Sequence, residues 1–216
     1  MSIKMFIKIS IYLLFSIGII ALILPVRWFP SFYDVRYMGV GTLAAATMIL
    51  FLPKLIKVEE THIKAHQKNH AATMFEFLLS VVFVSNAFGD LGLYQLYNLG
   101  IPFDKILHFI TPLLSVIILS LVLHQSFEMR PYYSIALAAL TVMSCIIDWE
   151  FYEYSMDVTF HTRLFGVYGS QIDADTKYDI ICGVLGNIIG TITVLRIYKK
   201  ENRSLPYSTA KKLTAK

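Results

Sequence analysis

The sequence predicts an all-α protein, a polytopic transmembrane helical bundle of about six spans with both termini cytoplasmic. Three observations carry that expectation. The 216 residues are 56% hydrophobic, with a mean hydropathy of +0.60. The apolar residues gather into stretches near the roughly 20 residues that a helix needs to cross a bilayer. Lys and Arg are divided unevenly among the intervening loops, as expected where cytoplasmic loops are basic. A single domain over residues 1–200 holds all six stretches, and a basic cytoplasmic tail over 201–216 follows.

Each element follows from its length and flanks. The first span covers 6–24. Lys4 and Lys8 precede its apolar run, as in a signal peptide, but Pro25-Val26-Arg27-Trp28-Phe29-Pro30 offers no small-residue cleavage site, so the segment reads as retained. The second span, 37–52, ends at Pro53. Residues 54–70 alternate Lys, Glu and His and are too polar to span, which suits a partly helical surface segment. The third span, 72–93, carries Glu76, Asn86 and Asp90, and leaves the membrane through 94–102 with Tyr94 and Tyr97 as interface anchors. The fourth, 105–123, has Asp104 in its opening turn. Pro112 inside it removes one backbone hydrogen bond, which predicts a kink near His108. The fifth covers 133–152 and the sixth 178–197. The tail from 198 onward is polar and expected to fray. Cys145 and Cys182 lie in apolar stretches and read as buried free thiols.

Charge sets the orientation. Fourteen of the 19 Lys and Arg residues fall at the N-terminus, in the second and fourth loops and in the tail. Ten of the 15 acids fall toward the other side. The acidic side is therefore expected to face outward, away from cytoplasmic nucleotides, in the cell (inner or plasma) membrane.

Most candidate chemistry lies on that acidic side. Asp104 and His108 are four apart and share one helix face; taken alone, they suit a helix-end carboxylate with a buried His as well as they suit a site. Glu150, Glu153 and Asp157 recur at three and four residues, so they line one face while Asp148 points elsewhere. Trp149, Phe151, Tyr152 and Tyr154 interleave with them and hold the segment at the interface; a solvated acidic face is the other reading. In the sixth span Asp175 suits an N-cap and Asp179 sits one turn in, with Asp173 just before. Gly183, Gly186, Asn187 and Gly190 continue that side, where small residues admit a neighbouring helix. Asn187 lies about 18 Å deeper than Asp175 by helix rise, so its amide needs a partner, in the first instance on a neighbouring helix. His62, His66 and His70 can share a face, more in keeping with a solvated helix than with a metal site. His161 and Arg163 sit in the loop among the acids.

Four of these elements, in order, resemble the motifs of the VanZ-like and YjdF-like groups of uncharacterised polytopic integral membrane proteins. Asp104-Lys105-Ile106-Leu107-His108-Phe109 is similar to their D-K-x-x-H-F signature. Trp149-Glu150-Phe151-Tyr152-Glu153-Tyr154 with Asp157 is similar to W-E-x-x-E-[FW]-x-x-D, and Asp175-Thr176-Lys177-Tyr178-Asp179 to D-T-x-x-D. Asp90 stands where relatives often have an acid. The similarity covers 75–192. It departs at Gly183, where many relatives have Asp or Asn, and the 161–171 loop does not align. The resemblance implies a membrane fold and a shared site without a settled reaction.

Together these residues suggest a metal-binding set of Asp90, Asp104, His108, Glu150, Glu153, Asp175 and Asp179, with Glu150, Glu153, Asp179 and His108 as candidate catalytic groups. Carboxylates plus imidazole suit a hard or borderline divalent cation. Three functions fit: an enzyme acting on a lipid or envelope substrate, an ion- or proton-coupled transporter, and a non-catalytic envelope-assembly or interaction protein. The expected partners are the lipid bilayer and such a substrate, not nucleic acid.

Overall fold

A computed structural model describes residues 2–28, 35–55, 65–160 and 172–204, except for the side chains of 65–68, 97, 160, 172–174 and 201–204. Six α-helices follow one another: α1 (Ile3–Ile23), α2 (Val35–Phe51), α3 (Ala65–Asp90), α4 (Phe103–Gln125), α5 (Pro131–Phe160) and α6 (Ile172–Ser204). All six are long and apolar enough to cross a membrane. The described residues include no strand.

The helix cores lie where the apolar runs place them, but several ends move outward. Lys and acid residues at the water interface satisfy helical backbone as well as apolar ones do, so apolarity ends before the helix does. α3 starts at Ala65, seven residues before its apolar run, and takes in His70, which is exposed. α5 continues eight residues past Tyr152, and α6 begins six residues before Tyr178 and runs on to Ser204. Asp175 is therefore inside the first turn of α6 and does not cap it. α4 runs unbroken through the buried Pro112. The cysteines are free, yet Cys145 is exposed on the bundle surface and Cys182 is half-buried, contrary to the buried placement expected from apolar neighbours. Residues facing lipid are as apolar as those facing helices, so composition does not separate the two.

Two three-helix groups build the bundle. α1, α2 and α3 pack together, α4, α5 and α6 pack together, and α3 against α4 joins them. Water does not drive helices together inside a bilayer, so close packing must. α6 packs most extensively against α4. There a Cβ on Gly186 would collide with the Phe109 carbonyl oxygen, and one on Gly190 would lie 2.7 Å from that of Leu113. Gly183 meets the Ile146 side chain of α5 in the same way.

Several buried hydroxyls are satisfied within their own helices, which suits hydrocarbon surroundings: Ser10 donates to Phe6 O, Thr42 to Met38 O and Ser80 to Glu76 O. Arg36, in the first turn of α2, donates to the Ala21 and Leu22 carbonyls and so caps the C-terminus of α1. Consecutive helices alternate in direction. The C-terminal ends of α1, α3 and α5 thus meet the N-terminal ends of α2, α4 and α6 at one acidic end of the bundle. Lys54, Arg130, Arg196, Lys199 and Lys200 mark the opposite end.

Gly186→Ala should lower stability by about 1–3 kcal/mol through overpacking. Gly41→Ala, with nothing within 4 Å of its added methyl, should be neutral or slightly stabilising. Denaturant titration in mixed micelles would compare them.

Candidate functional site

At the acidic end, α4 and α6 are held together by an ion cluster centred on Lys105. Its Nζ donates to Asp179 Oδ1 and Oδ2, both at 2.7 Å, to Asp175 Oδ1 at 2.5 Å and to Asp104 Oδ2 at 3.1 Å. Asp104 and Lys105 share the opening turn of α4, where the helix dipole favours the carboxylate. Asp175 and Asp179 are four apart on α6, so both face α4. Asp179 is only 4% exposed, whereas the Asp175 side chain is 42% exposed. The cluster therefore grades from a buried inner carboxylate to a wet outer one.

His108, one turn deeper on α4, links this cluster to α5. Its Nε2 lies 3.5 Å from Asp104 Oδ1 and 3.7 Å from Asp179 Oδ1, and its Nδ1 lies 3.7 Å from Glu150 Oε1. These separations are longer than good hydrogen bonds. Asp104 is divided between partners, with Oδ2 toward Lys105 and Oδ1 toward His108. Glu150 is 6% exposed, and its Oε1 is buried without a hydrogen-bond partner. Thr176 Oγ1, on α6 between Asp175 and Asp179, is also buried and unpartnered.

The remaining acids surround this core. Glu153, one turn along α5, accepts a 2.7 Å hydrogen bond from Trp149 Nε1. Asp157 is buried and Asp148 exposed, so Glu150, Glu153 and Asp157 do form an inward face, not a solvated one. The longer α5 is what keeps Asp157 on it. Asp90 ends α3 and, among the described residues, makes no ion pair with Lys105 or His108. Tyr94 is half-buried. Its ring packs against Phe103, and its hydroxyl donates to Asn86 Oδ1 at 3.1 Å. Burial pushes that hydroxyl well above its ordinary pKa, and the charges of Asp90, Asp104, Glu153 and Asp179 push it further. Across the bundle the Tyr37 hydroxyl meets that of Tyr152, joining α2 to α5 at this end.

Asn187 takes the interhelical role, with Nδ2 donating to Ala139 O on α5 at 3.0 Å and Oδ1 left unpartnered. It stands below the cluster and takes no part in it. His62, the His66 side chain, the Tyr97 side chain, His161, Arg163 and the Asp173 side chain lie outside the described residues.

Of the expected set, the structure gathers Asp104, His108, Glu150, Asp175 and Asp179, sets Glu153 beside them and leaves Asp90 at the edge. Sequence reasoning missed Lys105 as the hub, because a Lys at a helix end normally snorkels outward. Its position between two motif residues, facing an aspartate pair at i and i+4, was the available signal. Thr176 and Tyr94 were missed as inward-facing groups.

Two carboxylates and one imidazole come close enough to share an ion. Donor atoms of Asp104, His108 and Asp179 all lie within 4.8 Å of one another. Lys105 already bonds the second oxygen of Asp104 and both oxygens of Asp179, so an ion there and the ammonium would compete.

Lys105→Met should cost about 3 kcal/mol by leaving buried carboxylate unpaired. Lys177→Met, at an exposed position on the same helix end as Asp175, should change stability by less than about 0.5 kcal/mol. Thermal unfolding in detergent would read both.

No curated protein and no solved structure matches the chain. A family model described as a predicted membrane protein (DUF2238) matches residues 11–200, which takes in the second half of α1, the five later spans and every residue of the cluster, and the chain belongs to that family.

Proposed function

We propose that the chain is a multi-pass membrane protein of the inner or plasma membrane whose acidic end faces outward. There it carries a cation-assisted acid–base site of the VanZ-like and YjdF-like type, acting on a lipid-linked or envelope substrate. The observation that carries this reading is the unpartnered, buried Glu150 Oε1, 3.7 Å from His108 Nδ1. A buried carboxylate oxygen without a donor is expensive. It is retained where a proton, an ion or a substrate group supplies the missing partner.

Each residue then has a role that its geometry permits. His108 faces Glu150 with one ring nitrogen and Asp104 and Asp179 with the other, so it can pass a proton between them. Such contacts are commonly long before substrate binds and tighten with it. Glu150 is the acid–base group closest to the bundle interior, and Glu153, oriented by Trp149, is its neighbour on the same face. Lys105 holds Asp179 in place and offers positive charge at the mouth. Carboxylates outnumber cations in the cluster, which favours taking up a further cation. Asp104, His108 and Asp179 would hold a hard or borderline divalent ion. When bound, the ion would polarise a phosphoryl oxygen or activate water. Asp175, at the wet rim, and Asp90, at the edge, are placed to guide cations inward.

Elemental analysis of the purified protein, with mass spectrometry of envelope lipids incubated with it in proteoliposomes, tests this. About one divalent ion per chain is expected, falling at least tenfold in His108→Ala, as for loss of a metal ligand shell. A lipid mass change that disappears in Glu150→Gln is expected alongside it. Unchanged metal content and identical lipid spectra across wild type and both variants would sink the proposal.

A further inference from the structure

The basic end of the bundle carries a second feature that the acidic site does not use. Met129, Arg130, Tyr133, Ala136, Leu137 and Leu140 line an open groove of about 520 Å³ on the outer face of α5. Tyr133, Ala136, Leu137 and Leu140 stand at i, i+3, i+4 and i+7, so they share one helix face and the groove runs down it. All four are exposed. The span begins at Pro131, so Arg130 stands at the membrane boundary and the apolar floor descends from it. Ten residues from Arg130 to Leu140 cover about 15 Å by helix rise. That is half of the roughly 30 Å hydrocarbon core, or one leaflet.

Charge selects the occupant. Arg130 is exposed, and no acidic side chain among the described residues pairs with its guanidinium. The groove lining contains no acid. Lys54, Arg196, Lys199 and Lys200 share this end of the bundle and outnumber the nearby exposed Glu128, so the local field favours anions. A guanidinium at headgroup level above a leaflet-deep apolar floor matches a phosphate on an acyl chain.

We propose that this groove is a binding site for one anionic phospholipid, with its phosphate on Arg130 and an acyl chain along Tyr133, Ala136, Leu137 and Leu140. The site is about a membrane's thickness away from the acidic cluster and stands independently of any reaction there.

The test uses the full chain in micelles containing equal phosphatidylglycerol and phosphatidylcholine, with retained lipid counted by native mass spectrometry. Wild type should keep one phosphatidylglycerol in about fivefold preference over phosphatidylcholine, the effect of one basic residue near headgroups. Arg130→Gln should abolish the preference, while Lys200→Gln, at the same end but off the groove, should leave it intact. Leu137→Trp, which fills the groove, should reduce retention of both lipids, with an unchanged melting temperature showing that the bundle is folded. Absence of a preference in wild type, its survival in Arg130→Gln, or equal loss in Lys200→Gln would overturn the proposal. A wild-type dimer that retains no lipid would overturn it as well.

Discussion

One ammonium group shared among three carboxylates governs the acidic end of this bundle. Lys105 bonds Asp179 through both oxygens and also reaches Asp175 and Asp104. Ions near hydrocarbon carry a large desolvation cost, offset only when geometry and hydrogen bonding are good. Two turns of helix meet that demand: the start of α4 supplies the cation and one acid, and the start of α6 supplies two acids at i and i+4. The partners can meet only because the helices do. Gly186 and Gly190 let α6 lie against the α4 backbone at Phe109 and Leu113, one and two turns below the cluster. A larger residue there would push α6 away and lengthen the bonds from Lys105 to Asp175 and Asp179.

The arrangement is saturated on one side and open on the other. Toward the rim, Lys105 satisfies Asp175 and Asp179. Toward the interior, His108 stands between Asp104, Asp179 and Glu150 at distances just beyond hydrogen bonding, and Glu150 Oε1 has no partner. The rim reads as structure, and the interior is where the proposed proton or ligand would bind. The region matched by the family begins within α1 and ends beyond the cluster, so every residue of the cluster lies inside it.

Much of this was legible in the residues. Apolar length located six spans, and the three–four spacing of Glu150, Glu153 and Asp157 placed them on one inward face. What periodicity could not supply was partnership between distant segments. Lys105 looked like an interfacial lysine because nothing local reveals that Asp179, 74 residues later, packs against it. Helix ends were misread wherever polar residues continued the helix into the interface, as at Asp157 on α5 and Asp175 on α6. The cysteines were misjudged because, in a membrane, apolar surroundings do not distinguish a lipid-facing position from a core one.

The central claim is that Lys105 and Asp179 couple α4 to α6 and so build the site. A double-mutant cycle with Lys105→Met and Asp179→Asn, read as unfolding free energy in mixed micelles, tests it most directly. Coupling of about 1.5 kcal/mol or more is expected, as for residues in one ion network. Effects that add to within about 0.5 kcal/mol, as for distant and independent residues, would contradict it.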